Sequence, residues 1–294
     1  MDTKFHSAIA AIRSGDLDEL KSLVRQDPTL ATGRSSKSHP TLLQCLVLDA
    51  GDVANKVELA SVMIDAGAEL NEPLVACGSC DNVEVATLLL DRGAAINGTG
   101  GWSPVEEALY WNSPGMIDLL LERGATVANL RIAAGLGRTD LIENFFNTDG
   151  SLRPEAGTIN WPWGDLNAIA SPNHGPQGKE SLAARFNSWS NDRQSLIDNA
   201  FVYACMHRHI EAARLLLQKG ADIKAIPGGF DYAGSGLHYA ALNGHLAMAK
   251  FLIEQGADAS LKDTKVGGTP AGWADHGGHP EVKEYLESFQ TNKP

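Results

Sequence analysis

The chain has 294 residues, 43% of them hydrophobic and 20% charged, with a formal net charge of −12 at pH 7. A single rounded core is near its size limit at this length, so an elongated array or two domains is expected. The acidic balance, without any Lys/Arg run, argues against a nucleic-acid partner; no window approaches 18 uninterrupted apolar residues, which argues against a membrane span.

The first residues, MDTKFHSAIAAIRSGD, lack the apolar stretch of a secretory leader, and four cysteines do not make a disulfide framework, so a cytoplasmic protein is expected. From Phe5 to Pro28 the stretch SAIAAIRSGDLDELKSLV is the first copy of a pattern that recurs along the chain. Further copies follow from Thr41 to Asn71, with extra residues around Asp49 to Asn55, from Pro73 to Asn97, from Trp102 to Asn129 and from Leu130 to Phe146. The pattern then breaks off and resumes from Asn199 to Ile226, Ser235 to Leu261 and Gly268 to Leu286. Leu88, Leu89 and Leu90, or Leu215, Leu216 and Leu217, supply the buried stripe of a second helix. A Gly-Ala pair closes many segments, at Gly67, Gly93, Gly124, Gly220 and Gly256, where the chain leaves a helix through a left-handed residue.

The interruption, residues 147–193, holds Trp161, Trp163 and Trp189, three of the six tryptophans, among Pro and Gly. Disordered linkers are poor in aromatics, so an ordered, folded-back loop is expected there.

The sharpest copy reads Ser235-Gly-Leu-His-Tyr-Ala-Ala-Leu-Asn-Gly-His245, then Phe251-Leu-Ile-Glu-Gln-Gly-Ala-Asp258. It resembles the ankyrin repeat, a helix–turn–helix unit of about 33 residues. The resemblance implies an all-α ankyrin-repeat solenoid of about eight units with one long inserted loop: repeats one to five over 1–146, the insertion over 147–193, and repeats six to eight over 194–294.

Such an array usually binds a protein or peptide along a concave groove, without catalysis. The groove positions implied by the resemblance are Trp102, Tyr110, Trp111, Leu136, Met206, His207, Leu242, Asn243 and His276. Three aromatics in the fourth repeat, expected to face solvent, make Trp102, Tyr110 and Trp111 the predicted anchors. Trp161, Trp163, His174 and Trp189 are the expected contacts from the insertion, which could wall the groove into a pocket. In that alternative the chain is an enzyme or small-molecule receptor, with Glu106, Glu107, His207, Asp275 and His276 as acid–base candidates. No phosphate-binding loop, nucleophile elbow or zinc-protease motif occurs, so catalysis has no motif to rest on.

His209, His238, His245 and His279 fall at repeat positions with a structural duty. His207 and His209 point apart on a helix, and Cys77-Gly-Ser-Cys80 has no second pair, so neither metal nor cofactor is expected. A monomer is expected.

Overall fold

The computed structural model describes residues 2–35, 39–159, 189–230 and 233–290. Six of the eight first helices among the described residues start where a short polar side chain ends an extended stretch; those beginning at His6 and Asn71 follow Phe5 and Leu70 instead. Thr41, Ser103, Asn129, Asp192 and Thr269 have extended backbones, and each side-chain oxygen accepts the N–H three residues on. Ser103 and Glu106 form a reciprocal capping box, as do Thr41 and Gln44. Ser235 does the same with His238, an imidazole in place of the usual carboxylate.

The contacts divide the chain into two compact units, with the boundary between Thr126 and Val127. The N-terminal unit pairs α1 (His6–Ser14) with α2 (Leu17–Gln26), which is followed by the short α3 (Thr29–Thr32). It continues with α4 (Leu42–Leu48) and α5 (Lys56–Asp65), α6 (Asn71–Ser79) and α7 (Val83–Asp91), and α8 (Pro104–Trp111) and α9 (Pro114–Glu122). The C-terminal unit pairs α10 (Leu130–Gly135) with α11 (Thr139–Ile142) and α12 (Arg193–Met206) with α13 (Ile210–Gln218). Its last pairs are α14 (Gly236–Leu242) with α15 (Leu246–Glu254) and α16 (Pro270–His276) with α17 (Pro280–Gln290). The eight pairs among the described residues are the eight repeats expected, and no strand occurs among those residues.

Within a pair the chain reverses through a residue of positive φ. Gly15, Gly137, Gly244 and Gly278 serve in four repeats, and Asp81, Asn112 and Arg208 take the same conformation in three others. Gly137 and Gly244 are also needed for space: a Cβ at either would lie 2.5 Å from the imidazole of His209 or His279. Each closing Gly-Ala ends a second helix in the same way. The N–H groups of Ala68, Ala94, Ala125, Ala221 and Ala257 return to carbonyls five residues back.

Neighbouring repeats are joined by polar side chains whose spacing follows the repeat. Asn71 accepts the N–H of Ala95, Asn97 that of Thr126, and Asp198 that of Asp222, at 2.7–2.9 Å. Small residues allow close stacking: a Cβ at Gly78 on α6 would lie 3.0 Å from the Ala108 nitrogen on α8. In the C-terminal unit, Ala133, Ala134, Ala200, Ala204, Ala240 and Ala241 lie in one core with Leu216, Leu237, Leu252 and Leu286. Apolar burial of this kind contributes roughly 25 cal/mol per Å² and becomes available only when repeats stack.

Two departures from the sequence pattern both flank the insertion. The second helix of the fifth repeat stops at Ile142 and gives way to a 3₁₀ turn, Glu143–Phe145. Phe146 then pairs with Leu152, and Phe145, Phe146 and Ala156 join the core. On the far side α12 begins at Arg193, six residues before the expected Asn199, capped by Asp192. Arg193 bonds the carbonyls of Gly150 and Lys219 at 2.8 Å, and the Ile159 N–H meets Asn191 Oδ1. Both described ends of the insertion are thereby fastened to the C-terminal unit.

Candidate functional site

The capping box of Ser103 and Glu106 sets the start of α8, and one residue on stands Glu107, only 1% exposed. Its Oε2 accepts the Trp102 indole N–H at 2.7 Å and its Oε1 the Trp111 indole N–H at 2.9 Å. The Ser79 hydroxyl, from α6, also donates to Oε1. Indoles only donate, so both carboxylate oxygens must act as acceptors here. Tyr110 lies edge-on to both indoles, with ring centroids 6.2 Å from Trp102 and 5.3 Å from Trp111. One buried carboxylate thus holds an aromatic trio in fixed geometry, and only Trp111, 43% exposed, turns a large face to solvent.

This corrects the expectation that all three aromatics face outward. Trp102 is 6% exposed and its ring belongs to the interior, because its N–H is drawn under α8 to Glu107; Tyr110 is half-buried. Among the other groove candidates Met206 (3%) and His207 (9%) are also buried, since the next repeat closes over the end of α12, with Asn243 and His245 both bonding the Met206 carbonyl. Leu136, Leu242 and Asn243 are half-buried and His276 is exposed. Trp161, Trp163 and His174 lie outside the described residues, whereas Trp189 packs its ring against Gly228.

The acid–base candidates are distributed over both units. In the N-terminal unit Glu106 is committed to Ser103 and Glu107 to the indoles. In the C-terminal unit Asp275 pairs with Lys283 at 2.8 Å, on an exposed surface. Among the described residues no group of three His, Cys, Asp or Glu side chains is arranged to hold a metal, and no helix is long and apolar enough to cross a membrane.

The family model for ankyrin repeats (many copies) matches residues 201–253, which run from within α12 into α15. The chain carries ankyrin repeats. Among curated proteins none matches.

The ankyrin register accounts for His209, His238 and His245. His245 donates from Nε2 to the Met206 carbonyl at 2.8 Å, and His209 bonds the Gly135 carbonyl, each reaching back to the preceding repeat. His238 bonds Ser235 through Nδ1 and donates from Nε2 to the Gly268 carbonyl at 3.2 Å, reaching forward. Burial pushes all three imidazoles below their ordinary range, more than these bonds to the charged form raise them. Burial likewise raises the Cys77 and Cys205 thiols well above their usual value, and that of Cys80 above it. Cys77 and Cys205 are buried, whereas Cys80 is exposed.

Two acidic residues with larger roles went unread in the sequence. Asp263 organises the hairpin before α16: its carboxylate accepts the N–H groups of Lys265, Val266, Gly267 and Gly268 and the Trp273 indole. Burial works to raise its pKa, but those bonds outweigh it and bring the value to about 2. An Asp four residues before a Gly-Gly pair was the available signal. Asp198 carried no such signal, because its importance comes from what surrounds it in space.

Proposed function

We propose that the chain is a non-catalytic recognition protein that holds a protein or peptide partner through the C-terminal end of α8, with Trp111 as anchor. Ankyrin repeats are generally protein-interaction modules, and in that family the exposed ends of first helices border the binding groove. The observation that carries the reading is the state of Trp111. Its ring is 43% exposed, while Glu107 fixes its N–H and Tyr110 backs its face. A large aromatic already held in one rotamer loses little entropy on binding, and Trp is among the commonest energetic anchors of interfaces.

The test is affinity capture from native lysate with wild type, Trp111→Ala and Trp111→Phe, each checked for its melting temperature. Trp111→Ala is expected to retain at most about a tenth of the captured partner, a loss of about 1.4 kcal/mol. Trp111→Phe should keep most of it. Equal capture by wild type and Trp111→Ala refutes this assignment of the surface.

A further inference from the structure

The C-terminal unit contains a cleft of about 450 Å³ whose lining includes Trp189, Asp198, Pro227, Phe230 and Thr264. Its walls are built in advance. The Trp189 ring lies so close to Gly228 that a Cβ there would be 2.5 Å from it, and Asn199 Nδ2 donates to the Gly228 carbonyl at 2.8 Å. Phe230 is packed between Tyr203 and Tyr239, with ring centroids 5.0 Å away on each side.

Asp198 is the uncommon element of this lining. It is 7% exposed, and its Oδ1 already accepts from Gln194 Nε2 at 2.8 Å and from the Asp222 N–H at 2.7 Å. Among the described residues no donor is hydrogen-bonded to Oδ2, and no cation pairs with this carboxylate. Arg193, nearby in sequence, spends its guanidinium on the carbonyls of Gly150 and Lys219. Burial raises the Asp198 carboxyl despite its two hydrogen bonds, and the negative charges of Asp222 and Asp192 raise it further. A carboxylate so placed, partly desolvated and with one oxygen open to the cleft, gains from pairing with an incoming cation.

We propose that this cleft binds an alkylammonium or guanidinium group, which donates to Asp198 Oδ2 and rests against the Trp189 indole. Aromatic faces attract such cations, and the effect grows when water is excluded. The volume suits one side chain or one small amine rather than a flat protein surface. The chemistry is shared by a free amine and by the Lys or Arg side chain of a peptide. The site lies wholly in the C-terminal unit and does not involve Trp111, so it stands or falls apart from the recognition surface proposed above.

Calorimetric titration of the full chain tests it, with butylammonium, N-acetyl-arginine amide and an Arg/Lys-containing decapeptide as probes and butyrate as the anionic control. Saturable binding of at least one cationic probe is expected, weakened at least about tenfold by Asp198→Asn and left unchanged by Trp111→Ala. Asn keeps the Oδ1 acceptor for Asp222 and Gln194 but presents an N–H₂ where the cation would sit. Should Asp198→Asn fail to fold, Trp189→Ala is to give the same loss on a folded protein. Binding of the small probes assigns the site to free amines, and binding of the decapeptide alone assigns it to a peptide side chain. Absence of saturable binding by all three cationic probes overturns the proposal. So does equal affinity of wild type and whichever of the two variants folds.

Discussion

Replacing Glu107 with Gln isolates the interaction that shapes the α8 surface. Both indoles that meet Glu107 are donors only, so the wild-type side chain satisfies them because both its oxygens accept. Glutamine has the same shape but one oxygen, and whichever way its amide turns, one indole N–H faces an N–H₂. If the oxygen faces Trp111, the buried Trp102 N–H loses its partner, which costs about 1–3 kcal/mol. If it faces Trp102, Trp111 is released instead, and its N–H finds water because the ring is 43% exposed; Ser79 can rotate to accept from the amide. The second arrangement is cheaper. The expected loss is about 1–2 kcal/mol, mostly the difference between charge-assisted and neutral hydrogen bonds. Urea unfolding followed by far-ultraviolet circular dichroism measures the loss. Fluorine NMR of 5-fluorotryptophan protein, with the Trp111 signal assigned from its absence in Trp111→Phe, reports the release. An unchanged unfolding midpoint together with an unchanged Trp111 resonance refutes the reasoning, since it would mean the carboxylate is not what holds the indole.

The remaining predictions follow from backbone and charge. Gly137→Ala should lower stability by about 2 kcal/mol or more, because a Cβ there is penalised by φ +66° and also meets the His209 ring; thermal unfolding checks it. Arg208→Gly is the converse, relieving a non-glycine residue at φ +58°, and should raise stability by up to about 1 kcal/mol. His209, His238 and His245 have folded-state pKa values below the unfolded 6.5, so the unfolded chain takes up protons first as pH falls. Their contribution is therefore complete above about pH 6.5 and is lost as pH drops through the depressed folded values. Urea midpoints between pH 8 and pH 5 should decline, and a flat profile would contradict it. Asp263, also depressed but to about 2, contributes fully above its unfolded value of 3.8 and is lost only as pH falls towards 2. Asp263→Asn should therefore reduce the stability loss between pH 4 and pH 2, a loss to which Asp27, Asp140, Asp149 and Asp192, also lowered by their hydrogen bonds, contribute.

The repeats were legible because each is punctuated locally. Gly-Ala after the second helix is read one position at a time, and at Gly67, Gly93, Gly124, Gly220 and Gly256 the chain leaves a helix through a left-handed glycine as expected. The altered fifth repeat was visible only as an absent Gly-Ala; that Phe145 and Phe146 turn inward with Ala156 depends on contacts the pattern does not encode. The site was less legible for the same reason. Repeat register states which positions a family leaves exposed on average, and so it placed Trp102 outside. An indole N–H beside a buried carboxylate follows the stronger local interaction, and Trp102 turns in. Glu107 stands in the sequence as an acid–base candidate; that its carboxylate accepts from the indoles of Trp102 and Trp111 depends on contacts in space.

The same geometry explains why a buried carboxylate is tolerated at the edge of a repeat that could have been closed with leucine. A leucine at position 107 would pack well against α6, yet it would leave the Trp102 N–H unbonded in the interior and let Trp111 sample several rotamers. Ordering a free, rotamer-rich side chain at an interface costs roughly 0.5–1.5 kcal/mol, subtracted from affinity each time a partner binds. With Glu107 in place that cost falls on folding instead, where the hydrogen bonds of two indoles and Ser79 offset it. In the recognition mode proposed for Trp111, stability and recognition are coupled through one side chain. Variants at position 107 that weaken partner capture should do so in proportion to the mobility they give Trp111, and not in proportion to the stability they remove. Glu107→Gln, modest in stability and large in mobility, separates the two quantities.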